Sequence, residues 1–174
     1  MRIFLTGATG YLGRAVLDAL VRGGHQVTAL VRNSDKAKRV ASRGAQPVIG
    51  NLAESESFRG AADAQDGYIH VAYDDASGRG PAVDRLALDT LLAAARRPRT
   101  VGASTPPKRF VIYTSAASVL GRTPDPATEE SPTNPIAQSS WRPEHEALVL
   151  EAESPELRAI VIRPGVVYGG GQGM

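Results

Sequence analysis

The 174-residue chain contains no cysteine, which excludes disulfide bonds, thiolate chemistry and cysteine-based metal sites. Its histidines, His25, His70 and His145, lie far apart and lack the spacing of a metal site. No apolar run approaches the length that spans a bilayer, and no basic run is long enough to indicate a nucleic-acid groove. We therefore expect no metal, no membrane and no nucleic acid among its partners. Because the sequence enters a strand pattern without a signal peptide, we expect a cytoplasmic protein.

The composition is otherwise that of one globular domain. Apolar residues make up 42% of the chain, and 20 lysines and arginines nearly balance 18 aspartates and glutamates. We expect residues 1–174 to form a single domain in which strands and helices alternate, which favours a parallel sheet covered on both faces. Right-handed crossovers then favour an α/β doubly wound sheet of strand order 3-2-1-4-5-6. Predicted strands cover residues 2–6, 26–31, 46–49, 67–72, 109–114 and 158–163, predicted helices cover 12–22, 34–43, 54–62, 83–96 and 143–153, and proline-rich loops cover 98–108 and 121–135.

A glycine-rich turn joins the first predicted strand to the first predicted helix. It places Gly7, Gly10 and Gly13 three residues apart. A dinucleotide site requires a tight turn, a bare backbone against the pyrophosphate and a small residue where helix and strand cross. The helix N-terminus adds free N–H groups and a positive dipole end. The alternative is a glycine-rich turn that binds no ligand.

This turn also resembles a known fingerprint. Its sequence, Thr-Gly-Ala-Thr-Gly-Tyr-Leu-Gly over residues 6–13, is similar to that of the extended and atypical short-chain dehydrogenases/reductases, which include NAD(P)-dependent sugar epimerases, dehydratases and reductases. The resemblance implies a Rossmann fold, a nicotinamide cofactor and a small-molecule substrate. It implies cofactor contacts from Thr9, Tyr11 and Leu12 as well as from the glycines.

The residues after the second predicted strand indicate whether the cofactor is NAD or NADP. An acidic residue there binds the ribose of NAD, but this chain has Arg32, with Lys36 and Lys38 close behind. A guanidinium group pairs with a 2′-phosphate and stacks on adenine. We therefore predict NADP, with NAD as the less favoured cofactor. The alternative is a solvated basic helix start.

Further cofactor contacts are implied by the resemblance at the ends of later strands. Asn51 and Leu52 stand where the family has Gly-Asp-Leu, and the Asn51 amide oxygen would reach the adenine; a turn asparagine is the alternative. Ala72 is small enough for the backbone to lie against the ribose, and Thr114 ends the fifth strand beside the cofactor. We interpret His70 as a sheet histidine rather than a catalyst.

The segment over residues 110–121 resembles the catalytic-serine segment of the family. Alignment on Gly121 places the usual serine at Ala116, so that Ser115 and Ser118 flank the empty position. If the strand continues, Ser118 shares the side of position 116; if the chain turns after Thr114, Ser115 lies nearest the cofactor. Both serines remain candidate catalytic residues, and the alternative is that they only terminate a strand.

The family's Tyr-x-x-x-Lys pair is absent. One alignment places Arg142 at the lysine and Gln138 at the tyrosine, and another places His145 and Trp141 there. Arginine exchanges no proton near neutral pH, but Arg142 would hold a ribose or a substrate anion. The Trp-Arg-Pro-x-His-Glu motif resembles a subgroup of atypical, epimerase-like members.

The last motif, Arg-Pro-Gly-Val-Val-Tyr-Gly over residues 163–169, resembles the family segment that faces the nicotinamide, and this implies contacts from Pro164 and Val166. The family continues into a substrate lobe, which we expect this chain to lack. We predict an NADP-dependent oxidoreductase, or an epimerase- or dehydratase-like enzyme, acting by hydride transfer on a small carbonyl, alcohol or nucleotide-sugar-type substrate. The alternatives are a non-catalytic NADP sensor and a cofactor-binding fragment, and an exposed sheet edge would permit a homodimer.

Overall fold

Six parallel strands form one sheet in the computed structural model, which describes residues 1–74, 78–98, 107–169 and 172–173. The strands lie in the order β3-β2-β1-β4-β5-β6, which confirms the predicted doubly wound order. Their bounds are β1 Arg2–Thr6, β2 Gln26–Val31, β3 Gln46–Ile49, β4 Gly67–His70, β5 Arg109–Thr114 and β6 Leu157–Ile162.

Five α-helices of the described residues cover both faces of the sheet. They are α1 Tyr11–Arg22, α2 Ser34–Ala41, α3 Arg59–Ala62, α4 Gly80–Arg96 and α5 Arg142–Leu150. On one face, Leu17 of α1 and Val40 of α2 pack with Ile3 and Leu5 of β1. The opposite face buries a second cluster that includes Phe4, Phe58, Leu88, Leu91, Tyr113 and Val149 from β1, α4, β5, α5 and the turn before α3. Successive residues of β1 thus serve opposite cores, as the period of a strand requires.

Helix α5 ends three residues before its predicted end, and α1, α2 and β6 differ from the prediction by one or two residues. Three further differences have a visible cause in the structure. The predicted helix over 54–62 is a 3₁₀ turn, Ser55–Ser57, followed by the single turn α3, because the backbone of Phe58 is not helical (φ −137°). Helix α4 begins three residues early, and Pro81 occupies its first turn, where proline is tolerated. Strand β4 ends at His70 because the backbone then passes over the glycine turn, where a Cβ on Gly7 would lie 2.7 Å from the Ala72 nitrogen.

The fold creates a crevice between the carboxyl ends of β1 and β4. These strands are neighbours in the sheet, yet α1 leaves β1 toward one face whereas α4 follows β4 on the other. Ligands of open α/β sheets bind at such switch points.

The loop predicted over 121–135 contains no helix or strand. Most of the loop predicted over 98–108 lies outside the described residues.

Two small features complete the described chain. Beyond β6, strands β7 (Tyr168–Gly169) and β8 (Gln172–Gly173) form an antiparallel pair apart from the main sheet. None of the helices in the described ranges is both long enough and apolar enough to cross a bilayer.

Candidate functional site

The three glycines of the first turn have different surroundings. Gly7 adopts a positive φ of 78°, which favours glycine, and a Cβ on it would press on the Ala72 backbone. A Cβ on Gly13 would lie 2.0 Å from the Gly7 carbonyl oxygen. A Cβ on Gly10 would meet only that same oxygen, at 3.3 Å. Gly7 and Gly13 are therefore required by close packing, whereas Gly10 leaves its outer side open.

The N-terminus of α1 faces this open side and is suited to an anion. Gly10 is the N-cap residue, and within the described ranges no side chain caps the helix and its first turn holds no acidic residue. The first intrahelical bond runs from the Arg14 N–H to the Gly10 carbonyl at 3.1 Å, so the preceding N–H groups of the first turn have no intrahelical acceptor. Together with the helix dipole, these groups attract a phosphate.

A cleft of about 470 Å³ extends from this helix end across the crevice. It is lined by ten of the thirteen residues predicted to bind cofactor, namely Gly7, Thr9, Gly10, Tyr11, Leu12, Gly13, Arg32, Asn51, Leu52 and Ala72. Thr114, Pro164 and Val166 are not among its lining residues. The sequence prediction missed Arg39, Tyr73 and Asp74, which also line it.

Three cations stand at the β2 end of the cleft. Arg32 follows β2, and Lys36 and Arg39 lie on one side of α2, three residues apart. Lys38, which the sequence also suggested, does not line the cleft. Partial burial, and then the charges of Arg32 and Arg39, lower the pKa of Lys36 from its ordinary value. The three positive groups thus repel one another, and a bound anion would relieve this repulsion.

Asn51 lies in the cleft but also performs the turn role considered as its alternative. Its Oδ1 atom accepts the Ala53 N–H at 3.1 Å, and its own N–H donates to Ser57 Oγ at 3.0 Å. The amide oxygen offered to an adenine is therefore already engaged in an Asx turn.

Arg142 is held at the carboxyl end of β5 by two aromatic rings. Its guanidinium carbon lies 4.4 Å from the Trp141 ring centroid and 5.4 Å from that of Tyr73, and these two rings stack at 5.5 Å. Its Nη1 atom reaches the Tyr113 hydroxyl and the Thr114 carbonyl, each at 3.4 Å. Because Tyr73 lines the dinucleotide cleft, Arg142 lies close to the rim of that cleft.

The candidate serines have different surroundings. Strand β5 ends at Thr114 and residues 117–120 form a 3₁₀ turn, so the condition that favours Ser115 over Ser118 is met. Ser115 is 4% exposed, and its Oγ atom has no hydrogen-bond partner in the described part of the chain. The Ser118 Oγ atom instead lies 2.5 Å from Ser139 Oγ.

The sequence prediction missed a buried polar network centred on Asp84 of α4. Oδ1 of Asp84 lies 3.2 Å from His70 Nε2, and Oδ2 lies 2.8 Å from His145 Nδ1. The Tyr113 hydroxyl donates to the same Oδ2 at 3.0 Å, and Thr6 Oγ1 lies 2.6 Å from His70 Nδ1. Because a carboxylate only accepts, both imidazole rings donate to Asp84.

Charge in this network is concentrated on one carboxylate. Burial alone would raise the pKa of Asp84, but hydrogen bonds from His145, His70 and Tyr113 hold it well below its ordinary value. Burial, and then the Asp84 charge, raise the pKa of Tyr113, so its hydroxyl stays protonated. One sequence signal marks the network: Asp84 interrupts the apolar stripe of Val83, Ala87, Leu88 and Leu91 on α4.

A buried ion pair fixes the start of α5 against the end of β6. Arg163 donates from Nη2 to Oε2 of Glu146 at 2.6 Å and from Nε to the same oxygen at 3.1 Å. Glu146 is 3% exposed, so this ion pair is largely shielded from solvent. The pair lies next in sequence to Pro164, whose carbonyl accepts the Ala117 N–H at 2.9 Å.

The segment after Pro164 returns to the glycine turn. The Tyr11 hydroxyl donates to the Gly169 carbonyl at 3.2 Å, whereas the Val166 side chain is 73% exposed. The structure therefore brings the 163–169 motif to the cleft through its last residue, although Pro164 and Val166 do not line it.

A doubly wound sheet with a glycine turn, an uncapped helix end and a cleft at its switch point defines a dinucleotide-binding Rossmann domain. The chain belongs to the NAD(P)H-binding family, whose model matches residues 7–173.

The proteins that this chain resembles include reductases by sequence and sugar-nucleotide epimerases by fold. It is 34% identical over 177 residues to a 4-hydroxy-2-methyl-3-oxo-4-farnesyl-3,4-dihydroquinoline-1-oxide ketoreductase of Stigmatella aurantiaca, covering 97% of this chain and 51% of the relative. It is 30% identical to a ceramide reductase of Caulobacter vibrioides, covering 97% and 47%. Among solved structures, the UDP-glucose 4-epimerase of Thermus thermophilus, complexed with NAD, superposes with a TM-score of 0.74 at 23% identity, covering 99% of this chain and 57% of the epimerase. The chain thus spans about half the length of the curated relatives it matches.

Proposed function

We propose that this chain is the NADP-binding portion of an oxidoreductase that interconverts a ketone and an alcohol. The observation that carries the proposal is the cleft, in which the α1 N-terminus and three cations stand at positions suited to two separate phosphate groups. The curated relatives just described are named reductases, which supports the reaction class. A small molecule, rather than nucleic acid or a membrane, is the partner that such a cleft accommodates.

Different residues of the cleft would bind different parts of the dinucleotide. The N–H groups of the first turn of α1 would hold the pyrophosphate, and Gly10 would leave room for it. Arg32, with Lys36 and Arg39, would pair with the 2′-phosphate, which NAD lacks. When bound, the nicotinamide supplies or accepts the hydride equivalent, while the protein supplies position and electrostatics.

Arg142 and Ser115 stand where β5 ends and are the residues proposed to hold the substrate, so that its carbonyl faces the nicotinamide. Arg142 exchanges no proton, so the proton must come from elsewhere, such as water or a substrate hydroxyl. A nucleotide-sugar-type substrate is a second possibility, which the fold of the epimerases allows.

A non-catalytic NADP sensor is the second candidate function. Trp141, which one alignment places at the family's catalytic tyrosine, is stacked on Tyr73, and its indole N–H donates to the Gln138 carbonyl at 3.1 Å. Gln138, at that position in the other alignment, exchanges no proton either. A site that binds dinucleotide without turnover is consistent with these two side chains.

Measurements of dinucleotide binding and of NADPH oxidation distinguish the oxidoreductase from the sensor. Fluorescence titration of the chain with NADPH and NADH should show tighter binding of NADPH, and single-turnover oxidation of bound NADPH should then follow addition of a ketone from a panel. Binding with no oxidation by any ketone would move the proposal to the sensor. Absence of dinucleotide binding would overturn both functions.

A further inference from the structure

Arg142 is a partly buried cation for which the described residues supply no acidic partner. No carboxylate lies within ion-pair distance of its guanidinium group in residues 1–74, 78–98 and 107–169, whereas Arg85 contacts both Asp89 and Glu144, and Arg163 is paired with Glu146. Its hydrogen bonds are two long contacts of 3.4 Å, and both start from Nη1. A guanidinium group carries five N–H donors, so the described residues leave most of its donor capacity unused.

The surroundings of Arg142 fix its orientation without neutralising its charge. Trp141 and Tyr73 stack almost in parallel, with an interplanar angle of 10°, and the guanidinium group lies within cation–π distance of both rings. Stacking of this kind restricts the planar group and leaves its edge available for hydrogen bonding. A preorganised fork of this type suits a carboxylate, which it binds through two parallel hydrogen bonds.

A second unused donor lies nearby in the chain. Ser115 directly follows the Thr114 carbonyl that Arg142 contacts, and its buried Oγ atom has no partner within the described ranges. Buried hydroxyl groups are normally hydrogen-bonded, so an unpartnered one at a strand end indicates a polar group still to be bound. The cation and the hydroxyl therefore both stand at the carboxyl end of β5.

The negatively charged groups of the dinucleotide are assigned to residues other than Arg142. Its pyrophosphate is assigned to the α1 N-terminus and its 2′-phosphate to the Arg32 cluster, whereas its nicotinamide ribose carries no anionic group. The charge of Arg142, which no carboxylate of the described ranges neutralises, thus calls for a further anion beside the cleft.

We propose that Arg142 binds the carboxylate of the substrate, and that the chain is built for keto acids, or the corresponding hydroxy acids, rather than neutral ketones. This inference rests on the proposed function, because it names the substrate class of that same site. The carboxylate would form a bidentate pair with Arg142, and the Ser115 hydroxyl would donate to an oxygen of the same molecule.

The single tryptophan of the sequence, Trp141, provides a fluorescence probe of this site. Because Trp141 stacks on Arg142, its emission should change when a carboxylate binds. The experiment titrates the chain, with and without NADPH, with acetoacetate and with its neutral methyl ester. We expect acetoacetate to bind about tenfold to a hundredfold more tightly, as a charge-assisted bidentate contact implies.

Matched variants assign the preference to one residue. Arg142→Gln should abolish the preference for acid over ester, Arg142→Lys should keep part of it, and Arg85→Gln, whose guanidinium group is already paired, should keep all of it. Equal binding of acid and ester by the wild type would overturn the proposal. An Arg142→Gln loss of NADPH affinity as large as its loss of acetoacetate affinity would also overturn it, by assigning Arg142 to the cofactor. NADPH affinity is measured separately. Failure of NADPH binding would therefore count against the proposed function, and the comparison of acid with ester could still be interpreted.

Discussion

The Cβ atom that Gly13 lacks would lie 2.0 Å from the carbonyl oxygen of Gly7, whereas the same atom on Gly10 would lie 3.3 Å from that oxygen. Two glycines of one motif therefore serve different purposes. Gly13 allows helix α1 to cross the turn closely, and Gly10 keeps the backbone bare on the side that faces the cleft.

Substitution separates these two purposes. Gly10→Val should preserve the fold, since the extended backbone of Gly10 (φ −77°, ψ 176°) suits a β-branched residue and its neighbour needs to move only slightly, but should weaken NADPH binding at least tenfold. Gly13→Ala should destabilise the domain by about 1–3 kcal/mol or more, because overpacked sites force backbone shifts. Thermal unfolding and NADPH titration of both variants check this. A folded Gly10→Val protein with unchanged affinity would remove the phosphate from this turn.

Arg32 should determine the preference for NADP. Arg32→Ala removes a charge-assisted pair with the 2′-phosphate, so NADPH affinity should fall about tenfold to a hundredfold while NADH affinity changes little. Lys38→Ala is the matched control, because Lys38 lies on the same basic segment but does not line the cleft. Equal losses for NADPH and NADH would reduce Arg32 to a surface charge.

Asp84 should make the free energy of unfolding depend on pH in the acid range. Its pKa is lowered in the folded state from the ordinary value of 3.8, so the folded protein gains stability from the ionised carboxylate above that pH and loses it as the pH falls below it. Asp84→Asn should lower the free energy of unfolding by about 3–5 kcal/mol at neutral pH, as breaking a buried charged contact does. The difference from the wild type should shrink in acid.

Denaturant unfolding between neutral pH and acid measures this difference. Asp18→Asn serves as the control, because the Asp18–Arg43 pair is on the surface and such pairs contribute about 0–1 kcal/mol. A constant difference between the wild type and Asp84→Asn at all pH values would show that the charge of Asp84 is not what stabilises the fold.

The two candidate serines should respond in opposite ways. Ser118→Ala removes the contact with Ser139 and should lower stability by about 0.5–1.5 kcal/mol, with no effect on NADPH oxidation. Ser115→Ala removes a buried hydroxyl without a partner among the described residues, so stability should stay constant or rise while single-turnover oxidation slows. Slower oxidation in Ser118→Ala alone would assign the catalytic hydroxyl to Ser118.

Much of the dinucleotide cleft was predictable because its signals are local. Gly7, Gly10 and Gly13 occupy one strand–turn–helix unit, and Arg32 directly follows a strand whose end meets the same crevice. Arg39 was missed although it lies in the same basic helix, because only its helical phase relative to Lys36 shows that both line the cleft. The sheet order followed from the alternation of strands and helices together with crossover handedness.

The polar network was not predictable in the same way. His145 is 61 residues from Asp84 in sequence, and Thr6 is 64 residues from His70, so no local pattern joins them. Each lone histidine is more often a core residue than a functional one, and that expectation was applied to His70. Only the packing of α4 against α5 and the sheet shows that one carboxylate gathers donors from three other elements.

The bond from the Tyr11 hydroxyl to the Gly169 carbonyl joins positions 158 residues apart and ties the segment after β6 to the phosphate-facing turn. If a dinucleotide bound at the turn strengthens or breaks this bond, its binding is coupled to the position of the segment after β6. By reciprocity of linked equilibria, the segment would then change the affinity of the turn by the same factor by which the dinucleotide changes the equilibrium of the segment.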